Sequence, residues 1–281
     1  MLGAEVAGSM KETLIKEVEI LKQQDIFPRL GIIRVGARPD DISYERGAKK
    51  RMESIGIGCQ VTELSEDITQ EIFEEEFRKV NDNPQIHGIL LFRPLPKHLN
   101  EESIKEMIYP WKDADCMCPA NIAKVFSGDD TGFAPCTAEA VMEMLNYYNI
   151  NLEGKKVTIV GRSMVVGKPL SMLLLKENAT ITVCHTRTKD MEKVCKEADI
   201  LIAAAGKAKM VTREFVKSGA VVVDVGINVD NNGNLCGDVD FDEVKDIAEY
   251  ISPVPRGVGS ITSSVLAKHV VRGAQYFHSL V

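Results

Sequence analysis

The sequence has no apolar run approaching the roughly 20 residues that cross a bilayer, so no membrane-spanning helix is expected. Met1 to Met10 lacks both a basic stretch and an apolar stretch, which predicts no signal peptide and a cytoplasmic location. Basic charge is not in excess. The net charge of -7 argues against nonspecific nucleic-acid binding. Paired CxxC spacing is missing too: Cys59, Cys116, Cys118, Cys136, Cys184, Cys195 and Cys236 are odd in number and scattered in apolar settings. That pattern predicts free thiols in a reducing compartment. Cys116 and Cys118 have no second close pair and no histidine beside them. The histidines (His87, His98, His185, His269, His278) show no HExxH spacing, so no metal site is expected. No internal repeat or low-complexity tract is visible.

What remains is a chain of 281 residues, 44% hydrophobic and 27% charged, with enough apolar content for a large core and two domains. It is organised around Lys156 to Pro169, KVTIVGRSMVVGKP. Val157 to Val160 reads as a buried parallel strand, Gly161 ends it, and Gly167 and Pro169 sit where a helix begins. A second strand, Thr180 to Cys184, follows and ends at His185. Strand, glycine turn, helix and strand in this order form a βαβ unit that can bind a dinucleotide, although the glycine spacing is not the usual fingerprint.

Elsewhere the periodicity predicts helices over 11–24, 44–55 (capped by Ser43), 68–81, 101–108, 138–148 and 263–277. It predicts strands over 30–35, 58–64, 86–92, 199–205, 220–225 and 250–252. Residues 119–135 read as a linker rich in glycine, aspartate and proline. Repeated βα units in both halves define an α/β protein.

Several segments together resemble the methylenetetrahydrofolate dehydrogenase/cyclohydrolase family. They are Ser43-Tyr44, Gly88 to Pro96 (GILLFRPLP), Lys112 to Asp115, Pro135-Cys136-Thr137, Gly161 to Pro169, Asp224 to Asn228, and Pro253 to Thr262. The resemblance implies two α/β domains flanking a cleft. One, 1–134, binds folate, with a C-terminal helix (262–281) packing back on it; the other, 135–261, is Rossmann-like and binds NADP. It also implies a homodimer and reversible oxidation of 5,10-methylenetetrahydrofolate to 5,10-methenyltetrahydrofolate. Most members then hydrolyse that product to 10-formyltetrahydrofolate.

On the folate side, the resemblance makes Tyr44 and Asp115 the catalytic candidates, Tyr44 beside the one-carbon unit and Asp115 on the pterin ring. Arg93 is a candidate for an anionic group such as the glutamate tail, and Pro253, Gly257 and Gly259 for the folate-side loop. On the cofactor side the candidates are Gly161, Arg162, Ser163, Val166, Gly167, His185, Thr186, Arg187, Gly226 and Ile227. Backbone N–H groups from Val166 to Lys168 are expected to meet the pyrophosphate. The strand ending at Cys184 is followed by His185-Thr186-Arg187-Thr188 and not by the acidic residue that binds a free ribose diol, which favours NADP over NAD.

The chain departs from the family at a few positions. Ala48 stands where the family has a lysine used in hydrolysis, and Phe92 where it has a glutamine. Alanine has no proton or charge to offer, and phenylalanine has no hydrogen-bonding group. Loss of cyclohydrolase activity is therefore expected; a bifunctional enzyme and a noncatalytic folate- or nucleotide-binding protein are the alternatives. Cys116 and Arg256 replace frequent glycines, and Ser260 a frequent proline.

Overall fold

The computed structural model describes residues 1–230 and 232–279, which form two compact units. One comprises Ser9–Val125, Asp129–Cys136 and the chain from Ser263; the other comprises Met1–Gly8, Phe126–Gly128 and Thr137–Thr262. The sequence-based boundary at 134/135 leaves Met1–Gly8 in the first domain, whereas these residues group with the second. Their anchors explain it. The Met1 amino group donates to the Ile251 carbonyl at 2.6 Å, and the Gly3 N–H to the Arg256 carbonyl at 2.9 Å.

The first unit holds a three-stranded parallel sheet. Its elements begin with α1 (Gly3–Gln23, in this unit from Ser9 onward), β1 (Arg29–Val35), α2 (Pro39–Glu53) and β2 (Gly58–Leu64). They continue with α3 (Gln70–Asp82), β3 (Gly88–Leu91), α4 (Glu101–Met107) and α5 (Pro119–Ser127). Strand order is β2-β1-β3, with Ile32 between Val61 and Leu90. Ile33, Phe73, Phe77, Ile86, Ile89 and Ile104 form its fully buried core. Each such side chain contributes roughly 1.5–3 kcal/mol of burial.

Two expectations fail here for local reasons. Helix α2 starts at Pro39, not after Ser43. Proline suits the first helical position, Asp40 and Asp41 sit in the first turn, and Arg38 grips Asp41 at 2.7 and 3.0 Å. The supposed linker also contains α5. The buried Asp113 carboxylate accepts the N–H groups of Met117 and Cys118, at 2.8 and 2.9 Å, just ahead of that helix.

The second unit holds a five-stranded parallel sheet. It runs α6 (Cys136–Tyr147), β4 (Lys156–Val160), α7 (Gly167–Lys176), β5 (Thr180–Cys184), α8 (Met191–Lys196), β6 (Ile200–Ala203) and β7 (Val221–Asp224). Then come a two-stranded hairpin, β8 (Asn228–Val229) and β9 (Leu235–Cys236), α9 (Phe241–Val244) and β10 (Tyr250–Ile251). The order is β10-β7-β6-β4-β5. The chain therefore winds outward from β4 in both directions, making the carboxyl ends of β4 and β6 a topological switch point, where open α/β sheets bind ligands. The last helix, α10 (Thr262–Ser279), packs on the three-stranded unit. The contact is close: a Cβ on Gly273 would lie 2.0 Å from the His87 carbonyl oxygen.

Candidate functional site

At the switch point, backbone approaches backbone. Gly161 follows β4 with φ +136°, and a Cβ there would lie 2.1 Å from the Ala204 carbonyl oxygen at the end of β6. A Cβ on Gly167 would lie 2.1 Å from the Gly161 oxygen. Only glycine fits either place. Arg162 and Ser163 are exposed on the turn between them. Of the N–H groups expected to face a pyrophosphate, two are already used: Val166 donates to Ser163 Oγ at 3.1 Å and Lys168 to the Ser163 carbonyl at 3.0 Å. Ser163 thus organises the helix start.

Next to this turn, β5 ends in a tight loop. The His185 N–H donates to Thr188 Oγ1 at 2.9 Å, the Arg187 N–H to His185 Nδ1 at 3.1 Å, and the Thr188 N–H to the His185 carbonyl at 2.8 Å. His185 is thereby committed to shaping the loop. Thr186 and Arg187 are left exposed at its tip, with no carboxylate in the turn.

Sequence reasoning missed a pair of buried carboxylates behind this edge. Asp224 accepts the N–H groups of Gly226, Asp238 and Val239 at 2.9–3.0 Å. Asp238 accepts those of Ala205, Gly206 and Lys207 at 2.6, 2.9 and 2.8 Å, and Asn228 Nδ2 at 2.9 Å. Burial pushes Asp224 up to about 6 despite its three backbone donors. Together the two acids pin the loops that follow β6 and β7. A carboxylate closing an all-apolar strand was the available signal, because a buried charge must find donors.

Ile227 projects from the second loop, 69% exposed, and an added Cβ on Gly259 would come within 3.7 Å of its Cδ1. Within 253–259, a Cβ on Gly257 would lie 2.3 Å from the Pro253 oxygen. Arg256, where the family often has glycine, does adopt a left-handed φ of +80°. For a non-glycine residue that costs roughly 1–2 kcal/mol.

In the three-stranded unit the candidates meet at the end of β3. The Phe92 N–H donates to the Ile33 carbonyl at 3.0 Å, so the chain leaving β3 stays beside β1 before the cis Arg93-Pro94 bond. Tyr44, 41% exposed on α2, meets the Phe92 ring edge-to-face with centroids 5.8 Å apart. Segment 112–115 runs parallel to β3: Ile89 pairs with Asp113, and its N–H donates to the Lys112 carbonyl at 2.6 Å. This carries Asp115 to Arg93. One Asp115 oxygen accepts the Cys136 N–H at 3.0 Å, and the other lies 3.7 Å from the Arg93 guanidinium. Burial pushes the Asp115 carboxyl up; the Cys136 N–H and Arg93 oppose that shift.

Arg93 also contacts Glu101 at 3.3 Å, so its guanidinium lies between two of the protein's own carboxylates. Ala48 is 1% exposed on the buried stripe of α2, whereas Lys49 and Lys50 are exposed on other faces. Cys116 has φ +55°, the left-handed backbone a glycine would take there.

Two family models match. That for the tetrahydrofolate dehydrogenase/cyclohydrolase catalytic domain matches residues 1–115, and that for its NAD(P)-binding domain residues 135–278. A curated relative, the bifunctional protein FolD of Clostridioides difficile, is 60% identical over 97% of this chain and 95% of its own. The solved structure of the bifunctional FolD from Campylobacter jejuni superposes with a TM-score of 0.95 at 39% identity, covering 98% of this chain and 97% of that one. The Trypanosoma brucei enzyme, solved with NADP cofactor and an inhibitor, gives 0.92 at 35% identity, covering 98% and 97%. The chain belongs to the tetrahydrofolate dehydrogenase/cyclohydrolase family.

Proposed function

We propose that this protein oxidises 5,10-methylenetetrahydrofolate to 5,10-methenyltetrahydrofolate reversibly, with NADP. The observation that carries the folate assignment is the convergence of Tyr44 and Asp115 on the consecutive residues Phe92 and Arg93. A carboxylate accepts paired hydrogen bonds from a pterin amino group and ring N–H, and a tyrosine ring with its hydroxyl can lie along the one-carbon unit. The switch-point edge fits NADP: the two glycines allow close backbone approach, and Arg162, Thr186 and Arg187 supply donors for a 2′-phosphate with no carboxylate to repel it. When bound, NADP accepts the hydride. The substrate's neighbouring nitrogen lone pair stabilises the cationic product, so no side chain has to act as a base. Tyr44 and Asp115 contribute by holding the methylene carbon in a reactive geometry.

The names of the relatives support a bifunctional protein, in which hydrolysis to 10-formyltetrahydrofolate follows. This reading has more support from the comparisons than the loss of hydrolysis expected from sequence. One observation favours the dehydrogenase-only reading: no cation or proton donor occupies position 48, and Phe92, at right angles to the Tyr44 ring, has no hydrogen-bonding side-chain group. A product time course separates the two. Methenyltetrahydrofolate that decays only at its spontaneous rate means oxidation alone, and faster decay means both activities. Wild-type protein that reduces no NADP with methylenetetrahydrofolate would overturn both.

We also infer a homodimer, carried from the family resemblance, and a cytoplasmic setting, supported by seven free thiols. Sedimentation at micromolar concentration tests the first, and cell fractionation the second.

A further inference from the structure

Arg93 lies beside Asp115, the residue assigned to the pterin, and its guanidinium is turned to protein. It is three-quarters buried, with NH1 3.3 Å from Glu101 Oε1 and NH2 3.7 Å from Asp115 Oδ2. Glu101 is tied in turn to Lys105, one turn along α4, at 3.1 Å. Four side chains of alternating charge thus run from α4 to the carboxylate assigned to the pterin. Nothing in the hydride step uses Arg93, and the anions beside it are these two carboxylates of the protein.

We propose that Arg93 is a positioning residue for the folate: braced by Glu101, it orients Asp115 so that its carboxylate faces the pterin donors. The inference rests on the assignment of Asp115 to the pterin. Its physical basis is the layout of the carboxylate. The Cys136 N–H donates to one oxygen at 3.0 Å and the Cys136 side chain adds a second hydrogen bond, both from the same residue. Arg93, in ion-pair range of the other oxygen at 3.7 Å without hydrogen-bonding it, biases the carboxylate's orientation by charge and leaves that oxygen's lone pairs for ligand N–H groups.

It also has to act against the surroundings. Asp113 and Cys116 from the same loop and the Cys136 thiol at the start of α6 supply no positive charge, and His269 on α10 is engaged with the adjacent Ala114 carbonyl at 2.8 Å and the Cys136 thiol. Arg93 is the cation that favours the ionised carboxylate, the form with no proton in the way of the pterin's donors. Glu101 acts one step removed, by fixing where the guanidinium points.

The test is steady-state kinetics of the full chain with methylenetetrahydrofolate and NADP, on Arg93→Leu, Arg93→Lys, Glu101→Gln and Asp115→Asn. Arg93→Leu is expected to raise the folate KM about fivefold, the scale of a half-buried ion pair, with the NADP KM unchanged. The acidic limb of its kcat/KM profile for folate moves to higher pH, because an unpaired Asp115 takes up its proton sooner. Arg93→Lys restores the limb and most of the KM, and Glu101→Gln raises the KM about twofold. A merely structural arginine would leave the pH limb in place and lower kcat without regard to substrate. Unchanged folate KM and pH limb in Arg93→Leu, with Asp115→Asn impaired about a hundredfold, would overturn the role of Arg93 alone. Unchanged folate KM in Asp115→Asn would overturn the pterin assignment and this inference with it.

Discussion

The two units build their candidate edges in different ways. The five-stranded unit builds its edge from backbone: Gly161 against Ala204, Gly167 against Gly161, and loops tied to Asp224 and Asp238 through main-chain N–H groups. The three-stranded unit builds its edge from side chains, with Tyr44 on Phe92 and Arg93 between Glu101 and Asp115. A backbone edge tolerates most changes of side chain but fails when a glycine gains a Cβ. A side-chain edge keeps its shape while single substitutions add or delete a chemical group. Of the departures from the family, Phe92 lies in the second kind of edge, Cys116 directly follows Asp115 there, and Ala48 sits on the buried stripe of α2, one turn from Tyr44.

The comparison breaks most directly at Gly161. Gly161→Ala places a methyl 2.1 Å from a carbonyl oxygen at φ +136°, and the NADP KM should rise about a hundredfold. The folate KM should stay within about twofold, since the three-stranded unit is untouched. Equal loss for both substrates would show that the two edges are not separately built.

Acid should distinguish the units by sign. His87, buried in the three-stranded unit beside His278 and Phe277, is lowered to about 4, mainly by burial. Between that value and the ordinary histidine pKa of about 6.5 the unfolded chain binds more protons, so this contribution to stability is present above pH 6.5 and lost as pH falls to 4. It is worth up to about 3 kcal/mol. Asp224 works oppositely. Its carboxyl is raised to about 6, so the folded unit holds the extra proton, and stability from this group falls as pH rises from about 4 to 6. Hydrogen exchange on β1 and β3 should quicken on acidification more than on β6 and β7, and His87→Gln should narrow the gap.

A smaller effect sharpens cofactor choice. Arg187→Ala should raise the NADP KM about tenfold and leave the NAD KM unchanged, measured with both nucleotides at saturating folate. The smallest contrast lies in the two left-handed substitutes for glycine. Arg256→Gly relieves strain at an exposed site and should stabilise by about 1 kcal/mol. Cys116→Gly relieves similar strain but removes a buried thiol, and its net change should be within about 0.5 kcal/mol of zero. Thermal melting of both variants checks the pair.

Much of this architecture was legible in the sequence. Strand β5 falls on Thr180–Cys184 as expected, because threonines alternating with Ile181 and Val183 between polar turns mark a strand at both ends. Helix α2 was misplaced because Ser43 is a good cap, while Pro39 and the two aspartates after it are a better start. The β8–β9 hairpin, with two residues in each strand, is too short for any period to register. The two carboxylate arrangements were hidden for another reason. Asp224 bonds to N–H groups at 238 and 239, and Arg93 reaches Asp115, across distances along the chain that periodicity does not describe. Residue types marked candidate positions; the charge partners around them follow only from the tertiary fold.

The most direct test is one assay of the purified chain with methylenetetrahydrofolate and either NADP or NAD, following methenyl formation and its decay separately. NADP-dependent formation, slower with NAD, is the predicted result. Absence of nucleotide reduction with either cofactor, from protein that still binds folate, would contradict the dehydrogenase assignment.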